Sequence, residues 1–178
     1  MSPHHPPPRR GGVDHGQRPA ASVVYAFGMP NSSAPPATSS TPRAASAFAV
    51  PRKLAPDLAR VLAYWEGLKR GQADMPFWDD VKLTDLPDLR DRLGLVDVFE
   101  GPQRFRFGVV GDGLPPGLGG RFLDEVPPEA PLDYLLAQCS ATVEAARPTW
   151  FAAADGAGRL ALPLWGEGQI RMLLIAFG

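Results

Sequence analysis

Apolar residues recur at helical spacing in two places along the chain. Leu54, Leu58, Val61, Leu62, Trp65 and Leu68 follow three- and four-residue steps, which predicts one amphipathic helix of about 13 residues. Pro56 suits its first turn, where a missing N–H costs nothing, and Asp57 complements the positive end of the helix dipole. Lys69 and Arg70 fall at the negative end, and Gly71 is placed to terminate it. Leu132, Leu135, Leu136, Cys139 and Val143 repeat the pattern over residues 131–146, between Pro131 and Pro148.

Elsewhere the pattern is that of strands. Residues 94–99 are apolar apart from Asp97. Residues 104–110 alternate, with Phe105, Phe107 and Val109 on one face and Arg104 and Arg106 on the other. Glu100-Gly101-Pro102-Gln103 has the length and residue types of a hairpin turn. Three more strands are predicted over residues 149–153, 159–165 and 169–177. Asp155-Gly156 and Gly166-Glu167-Gly168 supply the turns between them. Residues 72–92 are irregular, with one or two helical turns expected over 85–92, and the five glycines and two prolines of 111–120 predict a loop.

The order is helix, two strands, loop and helix, three strands. Short turns join strands one to two, three to four and four to five, so the fold class is α+β with an antiparallel sheet and a helical crossover. The last strand is apolar almost throughout, Arg171 excepted, and so should be covered on both faces and lie mid-sheet. The crossover covers one face. The first helix, a partner chain or both cover the other.

Composition separates a tail from a domain. Eleven of the 21 prolines lie at or before Pro56, and residues 1–52 are rich in Pro, Ser and Ala. Such a segment cannot bury enough apolar surface to offset its ordering, so a disordered tail over 1–52 and one domain over 53–178 are expected. The tail carries a net charge of +4 and the remainder −5. An acidic domain argues against a nucleic-acid partner. Cys139 is the single cysteine, so no internal disulfide can form, which suits a cytoplasmic location. No apolar run reaches the roughly 20 residues of a membrane span. The N-terminus lacks the apolar core of a signal peptide, and Met29 is a second candidate start.

Several short motifs resemble, in order, those of a short PAS-like domain family common in alphaproteobacteria. They are Tyr64-Trp65, Leu68, Arg70-Gly71 and Met75-Pro76; Leu95-Val96-Asp97-Val98; Phe105-Arg106-Phe107 with Val110-Gly111; Gly120-Arg121 with Leu123-Asp124-Glu125; and Leu162-Pro163-Leu164. The resemblance covers the chain from about Leu54 onward. It implies a PAS-like five-stranded sheet of order 2-1-5-4-3, bacterial origin and a role in signal transduction. It also implies dimerisation through the N-terminal helix and the open sheet face, with Leu58, Leu62 and Trp65 as interface candidates. In the family, short helices after the second strand wall a ligand cavity. Here residues 112–119 form a shorter, glycine- and proline-rich stretch.

The candidate chemistry is sparse. Histidine occurs only at positions 4, 5 and 15, in the tail, which disfavours a histidine-ligated haem. Cys139 lies on an apolar helical stripe, which disfavours a covalent flavin adduct and favours a core role. Asp79, Asp80, Asp85, Asp88 and Asp91 read as a solvated face rather than a metal site, and no metal ligand is assigned. The glycines of 111–120 match no phosphate-binding loop, and no nucleophile is flanked by a base. Asp97 and Arg106 are the most suggestive polar residues. A structural ion pair across adjacent strands is the favoured reading, and recognition of an anionic ligand by Arg106 is the other. Tyr64 is a further pocket candidate. The expectation is a non-catalytic sensor or signalling module that acts through contacts with a protein partner. The alternatives are a sensor with a cavity-bound metabolite and, third, a small carboxylate-based enzyme.

Overall fold

In a computed structural model, residues 47–153 and 156–178 are described; the expected tail to residue 46 and the turn residue Asp155 lie outside them. Helix α1 spans Pro56–Gly67 and α2 spans Leu135–Ala145. The strands are β1 Leu93–Phe99, β2 Arg104–Val110, β3 Thr149–Ala152, β4 Gly158–Gly166 and β5 Gln169–Phe177. All pairings are antiparallel, and the sheet order is β2-β1-β5-β4-β3. The central position of β5 follows from its composition. Leu173, Leu174 and Ile175 are each 0% exposed, and only a strand flanked and covered on both sides can bury consecutive residues.

The α1 helix starts at Pro56 without a side-chain cap on Ala55, and its last turn closes where the Leu68 N–H reaches the Tyr64 and Trp65 carbonyls. Its apolar stripe packs on β4 and β5, with Leu58, Val61 and Trp65 buried. The α2 helix packs on β3 and β4 from the opposite side. Adjacent residues of β4 mark the two faces: a side chain at Gly158 would meet Leu58 of α1, whereas Arg159 bonds to Gln138 of α2. The core therefore has two layers, one under each helix.

Contact with the sheet begins at Phe48, ahead of Lys53: the Trp150 N–H donates to the Phe48 carbonyl at 2.8 Å, and Val50 packs on the core. That bond covers the free edge of β3. The free edge of β2 is covered in the same way, by bonds of 2.9 and 2.7 Å between Phe107 and the Arg121 carbonyl and Gly120 N–H. Covered edges do not template pairing with other chains.

Two local differences from the sequence pattern have clear causes. The α2 helix begins at Leu135, four residues after Pro131, because Tyr134 adopts a left-handed φ of 56° and cannot continue a helical turn backward. Residues 72–92 contain three single 3-10 turns, Trp78–Asp80, Leu83–Asp85 and Arg90–Arg92. Their sequences have too few consecutive helix formers to propagate further. The Gly166–Gln169 hairpin has positive φ at both Glu167 and Gly168, the geometry a two-residue turn needs to match strand twist. Among the described residues no helix is long and apolar enough to cross a membrane.

Cys139 is 0% exposed, and burial pushes its thiol pKa up to about 12. We expect no reaction with a thiol reagent at pH 8 until the protein unfolds. An acid whose folded pKa exceeds its unfolded value near 9 stabilises fully below that value, and the contribution is lost as pH rises toward 12. Arg159 acts in the opposite sense: burial lowers its pKa to about 10, so its penalty is relieved only above that pH. The melting temperature should fall from pH 9 to 10, and Cys139→Ala should flatten that slope. An unchanged slope in the variant would contradict the burial.

Candidate ligand groove

On the α2 side of the sheet, an apolar groove of about 580 Å³ opens to solvent. Phe107 of β2 forms its floor. One wall is Leu123 and Asp124 of the 3-10 turn Leu123–Glu125 together with Val126, Pro127 and Pro128. The other is the turn Leu132–Tyr134 and the first residues of α2. Its size and lining are those of small-molecule sites.

Each wall is tied down by an arginine. Arg104 bonds both oxygens of Asp124 and one of Glu125 at 2.8–3.2 Å, and its guanidinium lies 3.7 Å from the centre of the Phe122 ring. Its bonds hold the Asp124 carboxyl below the usual carboxylate range. The second wall is held from behind by Arg159, which is 3% exposed. Its Nη1 donates to the Pro131 carbonyl at 2.6 Å, its Nη2 to the Asp133 carbonyl at 2.9 Å, and its Nε to Gln138 Oε1 at 2.7 Å. Gln138 in turn donates to the carbonyls of Thr149 and Arg159. Thr142, one turn further, shares a 2.6 Å hydroxyl bond with Thr149. A buried cation hydrogen-bonded only by neutral oxygens retains part of its desolvation cost, which outweighs the through-space pull of Asp133 and lowers its pKa.

Asp97 and Arg106 face each other on β1 and β2 and form an ion pair at 2.8 Å, with the Arg106 guanidinium 4.9 Å from the centre of the Phe99 ring. They lie on the sheet face opposite the groove, because Arg106 alternates with the groove residue Phe107. The pair is partly exposed, so a double-mutant cycle of Asp97→Ala and Arg106→Ala should give a coupling of no more than about 1 kcal/mol. Several kcal/mol would point to a more demanding role.

Tyr64 also lies away from the groove. Its hydroxyl accepts from the Lys82 N–H at 2.8 Å and reaches Asp85 at 3.3 Å, and partial burial raises its pKa. It anchors the 3-10 turns to α1. Of the three interface candidates, Leu58 and Trp65 are 2% and 1% exposed within this chain. Leu62 alone retains surface, beside a shallow depression that includes Leu54 and Glu66.

Three of the five aspartates expected to form a solvated face are engaged in pairs: Asp80 with Arg70, Asp88 with Arg60 and Asp85 with Tyr64. Among the described residues no group of three or more His, Cys, Asp or Glu is arranged to hold a metal ion.

Arg159, Gln138 and Thr142 escaped the sequence reading. The available signal was Gln138 and Thr142 four residues apart on the helix that carries Cys139, a polar pair that an apolar interior tolerates only with partners. Comparison with protein families, with curated proteins and with solved structures finds no match to this chain.

Proposed function

We propose that this chain is a PAS-like, non-catalytic sensory module that holds a small molecule in the groove between β2, the Leu123–Glu125 turn and α2. Its response passes to a protein partner. The observation that carries this reading is the groove itself, an apolar recess on the crossover face of a sheet ordered 2-1-5-4-3. Its position beside the first turn of α2 supports a sensing role, since an occupant would bear on a segment that Arg159 links to the core.

A non-catalytic role is supported by the groove's polar groups. Asp124 is committed to Arg104, and Asp133 has no histidine, serine, cysteine or lysine beside it among the described lining residues. Output through a protein contact is supported by the exposed aromatic pair Phe77 and Trp78, 37% and 42% exposed, next to Trp165. A cytoplasmic location accords with the single buried thiol.

Native mass spectrometry of the full chain tests the reading. A retained small-molecule mass, lost when Leu135→Trp fills the groove, is expected. A bare chain, with no groove amide shifting in a screen of apolar metabolites, would refute ligand binding.

A further inference from the structure

We infer that the groove selects an apolar amine: a hydrophobic body carrying one ammonium group. This rests on the reading of the groove as a small-molecule site and specifies its ligand class.

The argument is charge complementarity. Asp124 and Asp133 are the only charged residues among those that line the groove. Asp124 is paired at 3.0 Å with Arg104, a cation it shares with Glu125. The Asp133 carboxylate makes no hydrogen bond or ion pair with any described residue, although its backbone carbonyl is held by Arg159. Arg159 is the nearby cation that could offset it. That guanidinium is 3% exposed and directed at the Pro131 and Asp133 carbonyls and at Gln138, behind the wall. An anion entering the groove therefore meets the Asp133 carboxylate, which Arg159 offsets only through space, and no cation among the described lining residues. An ammonium meets a free acceptor.

Tyr134 strengthens the preference. It follows Asp133 directly, lines the groove and is 66% exposed, which is unusual for so large a ring. Its left-handed backbone holds it at the mouth, and its ring rests 5.6 Å from that of Phe151. An exposed aromatic face beside a carboxylate is a recurring recognition element for organic cations. The remaining surface, with Phe107, Leu123 and Leu135, is apolar and suits the body of such a ligand. The volume of about 580 Å³ is that of a small molecule rather than a peptide helix.

The test compares n-octylamine, n-octanoate and n-octanol on the ¹⁵N-labelled full chain at pH 7, followed by the amide shifts of Phe107, Leu132, Tyr134 and Leu135. Octylamine should bind most tightly. Asp133→Asn should weaken it about fivefold and leave octanol unchanged. Asp133→Lys should reverse the order and favour octanoate. Octanoate or octanol binding as tightly as the amine, or an amine affinity indifferent to Asp133→Asn, overturns the amine preference and leaves the groove a ligand site. No shift with any of the three overturns both readings. Groove shifts that follow protein concentration without added ligand would assign it to a second copy of the chain and overturn both as well.

Discussion

Trp65→Ala should lower the unfolding free energy by about 3–5 kcal/mol, the range for truncating a buried aromatic residue. Trp65 is 1% exposed and lies between α1 and the sheet. Its indole N–H donates to the Pro163 carbonyl at 2.9 Å. Proline has no N–H, so β4 pairs less fully at this point, and the indole supplies a donor to the strand. On the outer side the Lys69 ammonium rests 4.2 Å from the ring centre. Truncation thus removes the apolar contact, leaves a cavity and strips a buried carbonyl of its partner. Trp65→Phe separates these effects: it keeps most of the volume and should cost about 1–3 kcal/mol, the penalty for the unsatisfied carbonyl. Urea denaturation followed by far-UV ellipticity gives both values. An unchanged midpoint for Trp65→Ala would remove α1 from the core.

Gly111→Ala should be nearly as damaging, about 3 kcal/mol or more, at the upper end of overpacking changes. The backbone crosses itself here at the end of β2. The Gly111 N–H donates to the Leu93 carbonyl at 2.8 Å, and the Gly113 N–H donates to that of Asp91 at 2.9 Å. A Cβ on Gly111 would overlap the carbonyl oxygens of Arg90 and Asp91. Those atoms belong to the 3-10 turn that leads into β1, and backbone cannot move aside without breaking the pairing of both strands. Gly166→Ala is the control. Its added methyl meets chiefly the indole of Trp78, a 42% exposed side chain that can rotate outward, so the expected cost is under about 1 kcal/mol. Equal melting temperatures for the two variants would show that the Gly111 crossing is more yielding than its geometry implies.

The two glycines show where sequence reading stops. Gly111 stands among five glycines in ten residues, all consistent with a loop. Nothing local marks Gly111 and Gly113 as the two where a side chain would meet another segment's backbone, because that segment, at Arg90 and Asp91, lies far earlier in the chain. The groove was hidden for the same reason. Phe107, Asp124 and Asp133 come from three separate elements and become neighbours only when α2 folds across the sheet. The Asp97–Arg106 pair was visible as a pair because strand alternation and a short hairpin place both on one face. Which face that was depended on where the helices packed.

Periodicity and turn residues by themselves determined the elements. The six apolar positions from Leu54 to Leu68 specify a helix, the alternation of residues 104–110 a two-sided strand, and the unbroken apolar run ending at Phe177 a strand at the centre of the sheet. These follow from local rules, since side-chain spacing and backbone conformation are properties of neighbouring residues. Only the tertiary structure decided that Arg159 would be buried against neutral carbonyls, that Leu58 and Trp65 would be enclosed within the chain, and that the free carboxylate of Asp133 would border an apolar recess. Burial and electrostatic environment depend on residues distant in sequence, and those meet only when the chain is folded.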